Sequence, residues 1–566
     1  MADENKYPKP SAQIIVKVLE TYGVRDVVIS PGTRDTPLIL ACDASEILRC
    51  HSVVDERTAA FVGLGIASSS RRPVALVCTS GSAMLNYAPA LAEAYYRHIP
   101  LIAISADRPQ QWIDQSDSQT IRQEGALSAI VKKSVVIHDI DISNKEMLRY
   151  AARLCTDAVA DSMRAPEGPV HINMPFDVPL GPLYPKVNEI SVPCVLNSDS
   201  SISTQGIKRL AEECADKKIL VVCGIMPPDN RLNKAIGRLA AVPGVVVVAE
   251  SLANLHAKGI ISNIDATLGE LHKTAASPDL VIVCGGALVS ARLKNYLRSL
   301  RDCEQWHVAS YCDMLQDTFH KLSLAIESTP GKFFPTFTSL LARNRKKAFI
   351  DDSFCHEWHQ ASDKTRKHYG DFISDAPWSE LKAVATILGA IPENFNLHLS
   401  NGTAIRYALL HPLKNIHGIW CNRGVSGIEG ATSTAVGAAL CYKGSTMLIT
   451  GDMSCSYDIG ALSLHQIPRN FKMVVLSNAG GGIFRVIDKT SSLPQCEQYF
   501  CAAPRLPLRE LAEAYGFHYY SADSKESLDE CLNPFLFNDE APSILEVKVD
   551  PERSAEVFKQ YHSEIQ

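Results

Sequence analysis

Short runs of β-branched and aliphatic residues alternate along the chain with longer stretches of helical period, which predicts parallel sheets covered by helices on both faces. The expected fold class is therefore α/β, with three doubly wound domains and mainly parallel sheets. In the first third the strands fall at Asp26–Ser30, Ser52–Asp55, Val74–Thr79, Leu101–Ser105 and Val170–Met174. Ile14, Val18 and Leu19 at helical spacing predict a first helix with Ser11 as N-cap, and Ser82–Tyr96 reads as another helix. From Pro182 to Ser203 Pro, Ser and Asn recur without a period, which predicts a linker. A second set of strands follows at Ile219–Cys223, Val245–Ala249 and Leu280–Cys284. A polar helical stretch spotted with aromatics, Thr336–Ser374, leads into a third set at Leu397–Ser400, Met447–Thr450, Val474–Leu476 and Ile544–Val549. The expected domains are 1–182, 204–335 and 375–566, the first and last similar in layout.

Composition agrees with that size. At about 150 residues per domain, 566 residues leave room for three or four. Hydrophobic residues at 46% and charged residues at 21% suffice for several cores. Lys+Arg 56 against Asp+Glu 62, with no block of five like charges, offers no concentrated basic face, so nucleic acid is not an expected partner. No apolar run approaches the ~18 residues that span a bilayer, and Met1–Pro10 is polar and mixed in charge. The expectation is a cytoplasmic protein without membrane insertion. The 17 cysteines form no Cys-x-x-Cys pair and sit mostly in apolar runs, as reduced core thiols do, rather than as a disulfide frame or zinc site.

Ligands of open α/β sheets bind beyond the carboxyl ends of strands. Two strand ends carry unusual residues: Thr450-Gly451-Asp452-Met453-Ser454 and, with Asn478 following Asp452 by 26 residues, Ser477-Asn478-Ala479-Gly480-Gly481-Gly482. A carboxylate, an amide oxygen and a glycine-loop carbonyl are hard ligands that suit Mg²⁺ beside a diphosphate. Either loop alone also reads as an ordinary turn. No G-x-G-x-x-G follows a strand and no G-x-x-x-x-G-K-[ST] occurs, so a dinucleotide dehydrogenase or P-loop NTPase lacks its main support. Glu56, in Val53-Val54-Asp55-Glu56-Arg57, has two readings: a cap for the helix it opens, or a desolvated carboxyl group that exchanges protons with a ligand nitrogen.

Glu56 with Asp452 and Asn478 resembles the cofactor signature of thiamine-diphosphate enzymes of the acetolactate synthase and pyruvate decarboxylase type, with Met453 and Ser477 in place of a Gly and an Asn. Closer still is the resemblance to the 2-succinyl-5-enolpyruvyl-6-hydroxy-3-cyclohexene-1-carboxylate synthases of menaquinone biosynthesis. It is carried by Ser30-Pro31-Gly32-Thr33-Arg34-Asp35-Thr36-Pro37, Asp55-Glu56-Arg57-Thr58-Ala59-Ala60, Thr79-Ser80-Gly81, Ala106-Asp107-Arg108-Pro109, Gly168-Pro169-Val170-His171-Ile172-Asn173 and Asn422-Arg423-Gly424-Val425-Ser426-Gly427-Ile428-Glu429-Gly430, in order along nearly the whole chain.

The resemblance implies a pyrimidine-binding, a central and a diphosphate-binding domain. It implies a transferase that decarboxylates 2-oxoglutarate and adds the succinyl unit to isochorismate. Its cofactors would be thiamine diphosphate and Mg²⁺ or Mn²⁺, the metal held by Asp452, Asn478 and Gly480. Glu56, Gly402, Ile428, Met453, Ser454, Asn478, Gly480 and Gly481 would contact the cofactor, with Glu56, Arg34 and Arg423 catalytic. Substrate contacts would come from Thr33, Arg34, Arg108, Gln119, Arg292, Arg406 and Arg423, with Ile483, Phe484 and Ile487 as an apolar wall that core packing explains almost as well. The family commonly has a Lys where Ala291 stands. A homodimer or homotetramer with active sites at the subunit interface is also implied. The rival readings are another 2-oxo acid decarboxylase or acetolactate-synthase-like enzyme of the same cofactor class, and a non-catalytic scaffold or regulatory protein retaining the fold.

Overall fold

The computed structural model describes residues 6–188, 190–196, 201–271, 277–311, 315–346, 352–412 and 416–565. The strands are β1 (Asp26–Ile29), β2 (Arg49–Ser52), β3 (Val74–Cys78), β4 (Leu101–Asp107), β5 (Ser134–Val136) and β6 (Val170–Pro175), then β7 (Ile219–Cys223), β8 (Val245–Ala249), β9 (Ile260–Ile261), β10 (Leu280–Cys284), β11 (Glu304–Ala309) and β12 (Leu322–Glu327). The last six are β13 (Asn396–Leu399), β14 (Gly418–Cys421), β15 (Thr446–Gly451), β16 (Phe471–Ser477), β17 (His518–Ala522) and β18 (Ser543–Lys548). They form three six-stranded sheets, in the orders β2-β1-β3-β4-β6-β5, β12-β11-β10-β7-β8-β9 and β14-β13-β15-β16-β18-β17. The α/β class with doubly wound sheets is as the sequence predicts.

Contacts group the chain into two compact units. One is Met1–Asn197 with Asn422–Thr446 and Tyr457–Phe471; the other is Ser198–Cys421 with Met447–Ser456 and Lys472–Gln566. In the first unit, Val27, Ile29, Val77 and Ile104 pack on one face of the sheet with the helices Pro10–Thr21 and Lys145–Met163. Val28, Leu76 and Ala103 pack on the other with the helices Glu56–Ser70 and Ala88–Arg97. In the second unit the β7–β12 sheet is likewise covered on both faces. Leu397, Ile449, Val474 and Leu545 pack with the helices Glu380–Ala390 and Thr403–Leu410.

Several boundaries differ from expectation. The first helix starts at Pro10, a position that needs no amide proton, so Ser11 lies inside it and no side chain caps it. β2 ends where Ser52–Asp55 was expected to begin, because Asp55 turns to cap the next helix. Ser82–Tyr96 is a 3₁₀ segment, Gly81–Tyr87, followed by the helix Ala88–Arg97, since Pro89 cannot donate to a preceding turn. Thr336–Ser374 is spanned by two helices, Pro330–Arg345 and Ser353–Asp375; residues 347–351 between them lie outside the described residues, as do 189 and 197–200 of the expected linker. Among the described residues no helix is long and apolar enough to cross a membrane, and the cysteines are free thiols.

Candidate active site

In the second unit, β15 and β16 are neighbours, so the loops beyond their carboxyl ends share one edge of the sheet. Asp452 is buried there and accepts the Gly480 N–H on both carboxylate oxygens, at 3.2 and 3.0 Å, and the Met453 N–H at 2.7 Å. Burial raises its carboxyl pKa, and backbone N–H groups of Gly480, Met453 and Asn478 pull it back. The Arg485 guanidinium ties down the same loop, donating to the carbonyls of Asn478 (3.0 Å) and Ala479 (2.9 Å) and pairing with both oxygens of Glu497. Gly480 has φ +104°, and a Cβ there would lie 2.0 Å from the Cys501 carbonyl oxygen, so only glycine fits.

Asn478 is 2% exposed. Its Nδ2 donates to Glu380 Oε1 at 2.9 Å, and its Oδ1 is buried without a partner. Glu380 opens the helix Glu380–Ala390, is buried, and also accepts from the hydroxyls of Tyr407 (2.9 Å) and Thr403 (3.3 Å). Burial pushes its carboxyl up to about 7, against the pull of those donors. Thr403 starts a helix capped by Gly402, whose carbonyl accepts from Arg406 at 2.5 Å, so Gly402 and Arg406 join this neighbourhood. Ser454 is buried beyond Asp452, beside the half-buried Met453.

An unpaired buried amide oxygen is costly unless something takes it. Asp452, Asn478 Oδ1 and the Gly480 carbonyl, which has one lone pair left after accepting the Gly482 N–H at 2.8 Å, are a hard-oxygen set that fits Mg²⁺ or Mn²⁺. Gly481 donates its N–H to the Cys501 carbonyl at 2.8 Å. Ile483 and Phe484 are half-buried, with Phe484 against Phe500 at 5.7 Å between ring centroids, whereas Ile487 is 41% exposed and is no core residue. Arg292 lies elsewhere in this unit, donating from Nη1 to the carbonyls of Asp265 (2.8 Å) and Ile565 (3.2 Å).

The first unit carries the remaining residues. Asp55, not Glu56, caps the helix Glu56–Ser70, accepting from the N–H groups of Arg57 (2.9 Å) and Thr58 (3.3 Å). The side-chain cap is therefore Asp55, while Glu56 is half-buried in the first turn, where its charge still favours the helix dipole. Burial lowers the Arg34 pKa and the nearby Arg108 adds to that, against the pull of Asp177 and Asp107. Arg34 donates to the Phe176 carbonyl at 2.9 Å and Arg108 pairs with Asp117. Behind them a buried chain of hydrogen bonds runs from the Gly81 N–H to Gln123, Asn173 and Asp107, joining three of the motif segments. Thr33 and Gln119 are exposed, Gln119 at φ +55°. Arg423 and Ile428 are half-buried in the segment after β14, whose path is set by Glu93: its buried carboxylate accepts the N–H groups of Gly424 and Val425, both at 2.8 Å.

Glu93, Glu380 and Arg485 were not singled out from sequence. Glu380 carried a signal, since it shares a helical stripe with the buried Ala383, Val384 and Ile387, where a carboxylate needs a partner. Glu93 likewise follows Ala90 by one turn and precedes the buried Ala94.

Residues 11–126 match the thiamine pyrophosphate enzyme N-terminal TPP binding domain, 196–399 the middle domain of thiamine pyrophosphate enzymes, and 401–547 the C-terminal TPP binding domain. A 2-succinyl-5-enolpyruvyl-6-hydroxy-3-cyclohexene-1-carboxylate synthase from Flavobacterium johnsoniae is 36% identical, over 99% of this chain and 100% of that protein. The chain belongs to this family of thiamine pyrophosphate enzymes. Synthases of the same name from Porphyromonas gingivalis (36% identical, 100% of this chain and 98% of that protein) and Bacteroides thetaiotaomicron (33%, 97% and 98%) are similar along the same length. Thiamine diphosphate is thus the family's cofactor. Glu56 falls in the matched N-terminal domain, and Asp452, Asn478 and Gly480 fall in the C-terminal one.

Proposed function

We propose that this chain decarboxylates 2-oxoglutarate with thiamine diphosphate and adds the succinyl unit to isochorismate in conjugate fashion, giving 2-succinyl-5-enolpyruvyl-6-hydroxy-3-cyclohexene-1-carboxylate and CO₂ for menaquinone biosynthesis. The observation that carries this reading is the end-to-end match to synthases named for that product.

Thiamine diphosphate supplies, when bound, the nucleophilic carbon and the electron sink. Asp452, Asn478 Oδ1 and the Gly480 carbonyl hold Mg²⁺ or Mn²⁺, and Gly402, Met453, Ser454 and Gly481 line the cofactor. Glu56, which Asp55 relieves of capping by its side chain, would hydrogen-bond the aminopyrimidine ring. Ile428 props the cofactor, and Ile483, Phe484 and Ile487 keep water from the reacting carbon. Both substrates carry carboxylates remote from that carbon, and arginine meets a carboxylate with a fixed two-pronged fork. Arg34, in a strand-end loop with Arg108 near it, is the first candidate for such a clamp. Arg423 and Arg406 serve as further clamps, Thr33 and Gln119 as neutral partners. Arg292, engaged with two carbonyls, has the weakest support. The protein works in the cytoplasm as a homodimer or homotetramer with active sites at the subunit interface.

The test is isochorismate consumption by purified protein with thiamine diphosphate, Mg²⁺ and 2-oxoglutarate, with each component omitted in turn and pyruvate substituted in one control. Loss of isochorismate only in the complete mixture is the expected result. CO₂ release without isochorismate loss, or turnover with pyruvate alone, would keep the cofactor chemistry and overturn the substrate assignment.

A further inference from the structure

Asn478 has one useful and one useless orientation. Its amide can ligate a hard cation only through Oδ1, and a half-turn about the last side-chain bond would present NH₂ instead. One feature of the chain opposes that half-turn: Glu380 Oε1 accepts from Nδ2 at 2.9 Å. A Cβ on Gly482 would fall 2.3 Å from Nδ2 and 3.5 Å from Glu380 Oε2, so glycine there leaves room for that pair. Glu380 is itself held by Tyr407 and Thr403, both of which donate to it. Its carboxylate thus accepts from three side-chain donors, and Asn478 Oδ1 is left buried and unpartnered.

We propose that Glu380 is a positioning residue for the metal, which fixes the Asn478 amide with its oxygen toward the cation and never touches the cation itself. This rests on the metal reading given above. A hydrogen-bond acceptor, rather than a charge, is what the position needs: glutamine still offers an oxygen to the Asn478 amide while its NH₂ faces the Tyr407 oxygen, whereas leucine offers nothing and frees the amide to turn.

The experiment is Mn²⁺ binding to the full chain with thiamine diphosphate, read from the electron paramagnetic resonance signal of free Mn²⁺, with melting of the metal-free protein measured alongside. Glu380→Leu is expected to weaken Mn²⁺ binding by about 10- to 100-fold, the usual cost of losing a ligand's supporting hydrogen bond. Glu380→Gln is expected to stay within about threefold of wild type. Tight binding by a folded Glu380→Leu overturns the proposal. So does a tenfold or greater loss in Glu380→Gln, which would point to charge instead of orientation, and this near-isosteric variant carries the test even where the leucine unfolds the protein. Wild-type protein that binds no Mn²⁺ overturns the metal reading and this inference together, a pattern distinct from failure of Glu380 alone.

Discussion

Two buried glutamates, one in each compact unit, hold strand-end loops from a neighbouring helix, yet they grip different things. Glu93 accepts two backbone N–H groups, of Gly424 and Val425, and so fixes the path of the chain that carries Arg423 and Ile428. Glu380 accepts from the side chain of Asn478 and so fixes the chemistry one atom presents. A carboxylate on backbone donors does work that any sequence in the loop would need, because every residue but proline has an N–H. A carboxylate on an amide side chain matters only if the far end of that amide has a task. Burial, which both share, therefore does not distinguish folding from function; the task at the far end of the gripped group does.

The sharpest test of this division lies at Asp452, the other side chain proposed to hold the cation. Asp452→Ala removes the carboxylate that gathers the Gly480 and Met453 N–H groups and would face the cation. Turnover is expected to fall by more than the ~100-fold upper range for supporting residues, and the rise in melting temperature with thiamine diphosphate and Mg²⁺ to vanish. A full cofactor-induced shift in this variant would break the comparison, because the glycine loop would then be structural in the way the Glu93 loop is.

Next in size is Glu93→Ala. It removes the acceptor of two part-buried backbone N–H groups, at about 1 kcal/mol each, and the buried packing of the Glu93 side chain with them. Thermal melting of the metal-free protein should drop clearly while Mn²⁺ affinity holds, the reverse of the pattern expected at Glu380. Loss of Mn²⁺ binding with unchanged stability would refute the division. A smaller effect is expected for Arg34→Ala, which removes one charge-assisted contact worth about 1.5–3 kcal/mol and so raises the KM for a carboxylate substrate by about 10- to 100-fold. Steady-state kinetics at saturating cofactor checks it, and an unchanged KM for both substrates would remove Arg34 from the clamp.

What could be read from sequence followed the same physics. Strands inside the sheets, such as β3, β7, β8 and β10, are buried along their whole length and stand out as unbroken apolar runs. The edge strands do not: β2 reads Arg-Cys-His-Ser and β17 His-Tyr-Tyr-Ser-Ala, with partial exposure, and β5, β9, β12 and β14 also escaped notice. β11 is interior but begins Glu-Gln-Trp-His, which hides it. In the site, Asp452, Asn478 and Gly480 were visible because residue type and strand-end position coincide. Glu380 was not, since its meaning depends on Asn478, 98 residues away in the chain. Asp55 and Glu56 stand side by side, and only geometry shows that Asp55 supplies the side-chain cap.

The smallest effect is expected at Arg292, where resemblance and geometry part. Its Nη1 donates to the carbonyls of Asp265 and Ile565, and a Cβ on Gly269 would come within 2.7 Å of that nitrogen, so helix and guanidinium are fitted to each other. This is the Glu93 pattern with the sign reversed: a charged side chain holding backbone, here by donating to carbonyls. Those carbonyls are only partly buried, so water can replace the lost donor, and Arg292→Ala should cost about 1 kcal/mol of stability. KM for 2-oxoglutarate and for isochorismate should change less than about twofold, because a guanidinium bound to main chain contributes little to a substrate carboxylate. A tenfold rise in either KM, with melting unchanged, would show that Arg292 leaves its carbonyls for the substrate, and that gripping backbone does not by itself mark a residue as structural.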